Sequence, residues 1–463
     1  MFFYFKILFL LWLINFAPVF LAHLLGPRWN APIDGRRTHR DGRPLLGPHK
    51  TIRGFLAALL MGTIAGIAMD FSWWTGFVCA LLSMAGDLTS SYIKRRRDLP
   101  SGSLVPGLDQ FFEGAFPLIF LAFFHDFGLG ALVALTLVFM AGAYWGSWFL
   151  KEVLLSKPYK DYPRKVSSWV RLREIRKCQI ISNPFHYFVN FEDSFYYHIM
   201  MKTAFKTLGM YERGKRNALN IKMTKFSLHF PDLPPAFHDY RILYLSDLHL
   251  DGLDGLTERI VELIGQEHVD LCILGGDYRM ENHGPFGLAL KRLDEVMLHL
   301  NSRDGCLGVL GNHDCLEIVE PLKARGIDFL INDSRSIVRN GEALWFVGVD
   351  DPHLYKCHDL NDAFHGVPSE AFIIFLAHSN EIYREVAPYG PRLYLCGHTH
   401  AGQIQLPCIG PVFTHSSAPR RFCQGLWHYG KMQGYTSCGV GVSGVPVRFS
   451  CQGEVVILTL KGQ

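Results

Sequence analysis

Five short polar clusters hold the residues best able to do chemistry: SDLH at 246–249, GGD at 275–277, GNHD at 311–314, AHSN at 377–380 and CGHTHAGQ at 396–403. Together they offer Asp247, His249, Asp277, Asn312, His313, Asp314, His378, His398 and His400. Carboxylates, imidazoles and one amide are the donor set for a pair of borderline divalent ions such as Mn, Fe or Zn. In DxH and HxH, alternate residues of an extended segment point the same way, so both members can face one site.

Each cluster follows an apolar run, and those runs are the elements that must position it. RILYL, LCILG, LGVLG, ALWFVGV, AFIIFLA, RLYLC and VVILTL read as buried strands, while LTERIVELIGQ and ALKRLDEVMLHL have helical periodicity. From about residue 219 the chain is therefore an α/β domain. Sites in such sheets form beyond the carboxyl ends of strands, so the clusters are expected to converge.

The ordered motifs DxH (247–249), GD (276–277), GNHD (311–314), H (378) and GHxH (397–400) resemble those of the calcineurin-like metallophosphoesterases. The resemblance covers residues 219–463. The lead-in LPPAFHDYRILYLSDLHL, the run GHTHAGQIQLP and the ending GVGVSGVPVRFSCQGEVVILTL resemble a membrane-associated bacterial branch that includes UDP-diacylglucosamine hydrolases. It implies two packed mixed sheets flanked by helices and a lipid-linked nucleotide or phosphoester as substrate. It also implies Asp247, His249 and His400 on one metal, Asn312, His378 and His398 on the other, and Asp277 as the bridge. Such a pair of ions lowers the pKa of a shared hydroxide and clamps the phosphoryl oxygens during in-line displacement. His313 is then the group that stabilises or protonates the leaving oxygen, oriented by Asp314. His353 and His415 are candidates for substrate contact, although loop histidines are ordinarily solvated.

The first third of the 463 residues differs in kind, dominated by Phe, Leu, Ala, Gly and Trp. Apolar segments at about 1–25, 53–70, 72–92, 110–125 and 128–150 are five expected transmembrane helices. The first is read as a retained span, since it lacks a small-residue cleavage site. Basic loops at 28–53, 94–97 and 151–177 all fall on one side, the cytoplasmic side if the N-terminus is outside. The rest of the chain then follows on that side too. The expected location is a bacterial cytoplasmic membrane.

Within this half, GDLTSSYIKRRRDLPSGSLVPGLDQ (86–110) places Asp87 and Asp109 around four cations. A stop signal explains the cations but not the acids, and ionisable residues at that depth usually face a partner or a cavity. An alternative reading is nucleotide transfer, with Asp87 and Asp109 on Mg²⁺ and with Lys94, Arg95 and Arg96 neutralising a triphosphate and an anionic lipid head. The segment, with NAPIDGRRTHRDGRPLLGPHKTIRGF upstream, resembles the CDP-archaeol synthase type of CTP-dependent lipid cytidylyltransferases over residues 1–155. That resemblance adds Asp34, Lys50, Thr51, Arg53 and Gly54, and implies attack of a phospholipid phosphate on CTP. The rival reading is a non-catalytic anchor or lipid-binding module.

Residues 156–218 are expected to be a basic and aromatic juxtamembrane connector, suited either to an anionic lipid surface or to a solvated linker. The net charge of +4 is too small to argue for nucleic acid. Eleven cysteines without a CxxC pair are expected to be free thiols in a reducing compartment.

Overall fold

A computed structural model describes residues 2–25, 28–99, 105, 107–125, 127–164, 166–178, 190 and 194–462. Most of PSGSLVP (100–106) and much of the connector, 179–189 and 191–193, lie outside the described residues. The chain divides into two units, Met1–Ser156 and Lys157–Gln463.

The first unit contains five α-helices among its described residues: α1 (Phe2–Leu25), α2 (Ile52–Ala68), α3 (Trp73–Arg96), α4 (Leu108–Phe124) and α5 (Leu129–Trp148), the last continued by a π-helical turn at Phe149–Leu154. The segments within 2–22, 73–96 and 129–154 are long and apolar enough to cross a membrane, while α2 and α4 have 17 residues each. Thr51 caps α2 by accepting the Gly54 N–H. Small residues let these helices approach closely. A Cβ on Gly76 would lie 2.1 Å from the Gly62 carbonyl oxygen, and one on Gly86 2.2 Å from that of Phe112.

The second unit is built on two six-stranded sheets. One contains β1 (Lys222–His229), β2 (Tyr240–Leu245), β3 (Leu271–Leu274), β4 (Cys306–Gly308), β5 (Ile327–Phe329) and, between β1 and β2, the C-terminal strand Glu454–Lys461. The other runs in the order 425–429, 432–436, 393–396, 372–376, 342–348 and 333–339. Both are mixed: the C-terminal strand is parallel to β1 and antiparallel to β2, and β2 to β5 are parallel.

The period of two in each strand builds the layers. Ile242 and Tyr244 face a core shared with Phe346, Ile374 and Leu395 of the other sheet. Leu243 and Leu245 turn the other way, onto Leu256, Ile260, Leu293 and Val296 of the helices at 256–264 and 287–298. The second sheet buries Ile373, Phe375 and Tyr394 on its own outer face, against Ile382, Tyr383 and Val386. Two packed mixed sheets flanked by helices are thus present, as the sequence leads one to expect.

The described part of the connector is built into this second unit. Arg164 is fully buried and forks onto Asp350 (Nε–Oδ2 2.6 Å, Nη2–Oδ1 3.1 Å), reaches Glu174 at 3.1 Å and stacks 4.2 Å from the Tyr355 ring centroid. Glu174 is shared with Arg171 and Tyr162.

One expectation is corrected. Cys178 and Cys315 form a disulfide, with Cα atoms 5.5 Å apart, and the other nine cysteines are free. The partners are 137 residues apart, so no local spacing signals a pair that the fold brings within bridging distance. The thiol count therefore no longer argues for a reducing compartment.

Candidate functional site

Five of the seven residues expected to bind metal sit in left-handed backbone: Asp247 (φ 53°), His249 (40°), Asp277 (58°), His398 (70°) and His400 (47°). Such conformations cost about 1–3 kcal/mol each and persist only where the surroundings enforce them. Glycines supply the room for the turns. A Cβ on Gly397 would lie 2.2 Å from Asp247 Oδ2, and one on Gly311 2.1 Å from Asp277 Oδ1.

These turns bring three overlapping donor groups together, each with its ligand atoms within 4.8 Å of one another: Asp247–His249–His400, Asp247–Asp277–His378 and His249–Asp277–His313. His249 Nδ1 donates to the Arg279 carbonyl (2.8 Å) and His378 Nδ1 to that of Gly275 (2.7 Å), which turns each Nε2 inward. His249 Nε2 and His400 Nε2 stand 3.2 Å apart, with Asp247 Oδ1 3.3 Å from the latter. Asn312 Oδ1 is buried with no hydrogen-bond partner, and His378 Nε2 stands 3.2 Å from Asp277 Oδ2. An orphaned amide oxygen beside facing imidazoles and carboxylates fits a site for cations.

The electrostatics agree. Burial acts to raise the Asp277 carboxyl, but the His378 and His313 imidazoles outweigh it and hold it well below the usual range. Burial opposes charge on His378, yet Asp277 and Asp247 push it up to about 10, so a cation bound there must displace the Nε2 proton. Burial, helped by neighbouring histidines and at His400 by the Arg448 guanidinium, holds His398 and His400 well below the usual imidazole range, and burial brings His313 down to about 4.

His398 stands apart from the three donor groups. Its Nε2 donates to the His415 carbonyl (2.9 Å), which leaves Nδ1 to ligate. Asp314 does not orient His313 as expected. Its carboxylate ties the loops together, accepting the N–H groups of Asp277 (2.7 Å), Gly311 (2.9 Å) and Tyr278 (3.0 Å). The His313 ring is held instead by the Met280 carbonyl.

A cavity of about 440 Å³ opens over the cluster, lined by Asp277, Asn312, His313, His398 and His400, and also by His353 and His415. His353 donates to Glu381 (3.0 Å), and its loop is shaped by Asp351, which accepts the N–H groups of His353, Leu354 and Tyr355. Sequence reasoning missed Asp350, Asp351 and Arg279. The first two had a signal, since DDPH follows the apolar run ALWFVGV as the other clusters follow theirs. Arg279 had none. It is buried and donates to the His313 carbonyl (2.8 Å).

In the helical unit, Asp87 pairs with Lys50 (2.5 Å) and Asp109 with Lys94 (2.7 Å). Asp109 also accepts the Val105 N–H (3.1 Å). The structure thus joins two of the expected phosphate-binding lysines to the two expected Mg²⁺ carboxylates. Among the described residues of this unit, no third His, Cys, Asp or Glu side chain closes a metal-binding group around them. Glu113, one turn beyond Asp109, was missed; it is buried and bonded to Asn15 Nδ2. Arg95 is buried, Arg96 binds Asp41 and the Pro44 carbonyl, and Arg53 binds the Arg28 carbonyl. Asp34 organises the loop before α2 by accepting the N–H groups of Arg36, Leu46 and Gly47.

Comparison with known proteins divides the chain in the same way. A family model for calcineurin-like phosphoesterases matches residues 240–402, and one for CDP-archaeol synthase matches residues 3–142. The phosphodiesterase YaeI of Escherichia coli is 30% identical over 233 residues, which cover 48% of this chain and 82% of the relative. An uncharacterised metallophosphoesterase of Bacillus subtilis, YkuE, is 26% identical over 52% of this chain and 86% of its own length. A CDP-archaeol synthase of Pyrococcus furiosus is 36% identical over 29% of this chain and 81% of its own.

Proposed function

We propose, for a membrane protein whose chain belongs both to the calcineurin-like phosphoesterases and to the CDP-archaeol synthase family, two phosphate-handling sites on one polypeptide. The second unit hydrolyses a phosphoester or pyrophosphate bond in a lipid-linked substrate. The observation that carries this reading is the convergence of three donor groups on one cavity that is also lined by the buried, unpartnered Asn312 Oδ1.

Asp247, His249 and His400 would hold one divalent ion, Asn312, His378 and His398 a second, and Asp277 both. Bound there, Mn, Fe or Zn ions supply a nucleophilic water of lowered pKa and neutralise charge on the phosphoryl oxygens. His313, fixed through Nδ1 by Met280, turns Nε2 to within 3.9 Å of Asp277, where it would take the proton released by the attacking water and pass it to the leaving oxygen. His353 and His415 line the approach and bind the flanking part of the substrate. Incubating the purified protein with Mn²⁺ and a panel of lipid-linked nucleotides, with products identified by mass, tests this. Full activity in an Asp277→Ala protein would refute the assignment.

For the helical unit we infer CTP-dependent transfer to an anionic phospholipid, in which a phosphate oxygen of the lipid attacks the α-phosphorus and pyrophosphate leaves. Asp87 and Asp109 fit Mg²⁺ as hard carboxylate donors, with Lys50, Arg53, Lys94, Arg95 and Arg96 as the basic groups for nucleotide and lipid phosphates. Both sites are assigned to the cytoplasmic face of a bacterial membrane on the distribution of basic loops. The neutralisation of each carboxylate by a lysine favours a second reading, a non-catalytic lipid-binding anchor. Asp109→Asn separates the two. CTP-dependent CDP-lipid formation that is absent from wild type, or unchanged in the variant, removes the transferase.

A further inference from the structure

Part of the rim of the phosphoesterase cavity is apolar, and that part comes from two segments outside the metal-binding motifs, while His198 and Glu281 pair at 2.9 Å elsewhere in the lining. One is the helical stretch Ser194–Met201 continued by Lys202–Thr207, from which Tyr197 and Met201 line the cavity. On this stretch and just beyond it, Ile199 (55% exposed), Met200 and Leu208 (69%) lie open to solvent. The other is a small hairpin, Gln405–Leu406 paired with Gly410–Pro411, whose flanks Ile404, Val412 and Phe413 also line the cavity. Its tip exposes Leu406, Cys408 and Ile409, the last at 70%. Scattered exposed apolar residues need no explanation, but two apolar elements bordering one cavity do. Charge accompanies them: Lys202, Lys206 and Lys215 gather 5.6–6.0 Å from the Tyr211 ring beside the helical stretch. Apolar tips next to a lysine cluster are complementary to an anionic lipid surface, whose acyl boundary takes the former and whose headgroups take the latter. Upstream, the same chain carries helices long and apolar enough to cross a membrane.

We propose that this rim is a bilayer-contact surface, seated in an anionic leaflet so that a phosphoester borne on a lipid enters the cavity from the membrane rather than from water. The entry route rests on the phosphoesterase reading given above, whereas the contact itself does not. Cys408 is the exposed thiol of the hairpin tip and supplies a native probe. The full chain, reconstituted in vesicles containing roughly a third anionic lipid, is labelled there with a nitroxide. An otherwise identical Cys408→Ser protein corrects for label at half-buried thiols, and a label on Leu298→Cys, at an 82%-exposed position, reports water.

The expected result is that Cys408 is more accessible to oxygen than to a nickel chelate, the reverse of the Leu298→Cys label, and that the effect shrinks in neutral vesicles. Water-like accessibility at Cys408 overturns the proposal. In parallel, Leu406→Glu/Ile409→Glu is expected to lose about tenfold in hydrolysis of a fluorescent phosphodiester carried on diacylglycerol, with bis(p-nitrophenyl) phosphate hydrolysis unchanged. Equal losses on both substrates overturn the entry route. If wild type cleaves neither substrate while Cys408 still reads a lipid depth, the phosphoesterase reading fails and the contact stands.

Discussion

Arg164→Met puts the connector to a quantitative test. Arg164 and Asp350 are fully buried and joined by two hydrogen bonds, and Arg171 remains to neutralise Glu174 if Arg164 is removed. The variant therefore leaves one carboxylate, Asp350, buried without its counter-charge, a loss of about 3–5 kcal/mol when a buried pair is broken. The unit spans roughly 300 residues, and at about 2.1 cal/mol/K of unfolding entropy per residue this lowers its transition by about 5–8 °C. Calorimetry of the purified full chain measures the shift. Because the pair is matched, Arg164→Met/Asp350→Asn should recover most of the loss, giving a coupling of more than about 1 kcal/mol in a double-mutant cycle. A single variant within one degree of wild type, or a double variant less stable than the single, would refute the view that this juxtamembrane segment is an integral part of the catalytic unit.

Three further outcomes are expected. Gly311→Ala places a methyl group against Asp277 Oδ1 and should cut metal-dependent hydrolysis at least tenfold while Tm falls by only a few degrees; kcat with Mn²⁺ in excess checks it. Asp277→Asn or chelation by EDTA should each lower phosphodiester hydrolysis by at least about a thousandfold, with Mn²⁺ restoring only the chelated wild type. Burial pushes the half-buried Glu317 carboxyl up to about 7, with the Arg279 guanidinium opposing. The folded chain holds that proton more tightly than the unfolded one. Its contribution is therefore full below the unfolded value of 4.5 and lost as pH rises through about 7, and Glu317→Gln should flatten that part of a Tm-against-pH profile.

Much of the catalytic unit was legible because its chemistry is local. Polar clusters that end apolar runs name both the strands and the donors, and period-two alternation in RILYL already sorts Leu243 from Ile242. What stayed hidden depends on neighbours distant in sequence. Arg164 meets Asp350 across 186 residues, and Cys178 meets Cys315 across 137. Adjacency in sequence also misled. Asp314 follows His313, yet its carboxylate points back to the Asp277 turn, because three backbone N–H groups of adjoining loops converge there. In the helical unit, Glu113 carries no sequence signal, because its partner Asn15 lies 98 residues away on another helix.

The left-handed turns at Asp247, His249, Asp277, His398 and His400 bear on how this protein can be engineered. Glycine is the residue such backbone prefers, so at each of these positions the substitution that best relieves the chain is one that deletes a donor. Selection for heat resistance alone would therefore favour variants that have lost the site, and any stability campaign has to screen for turnover in the same round.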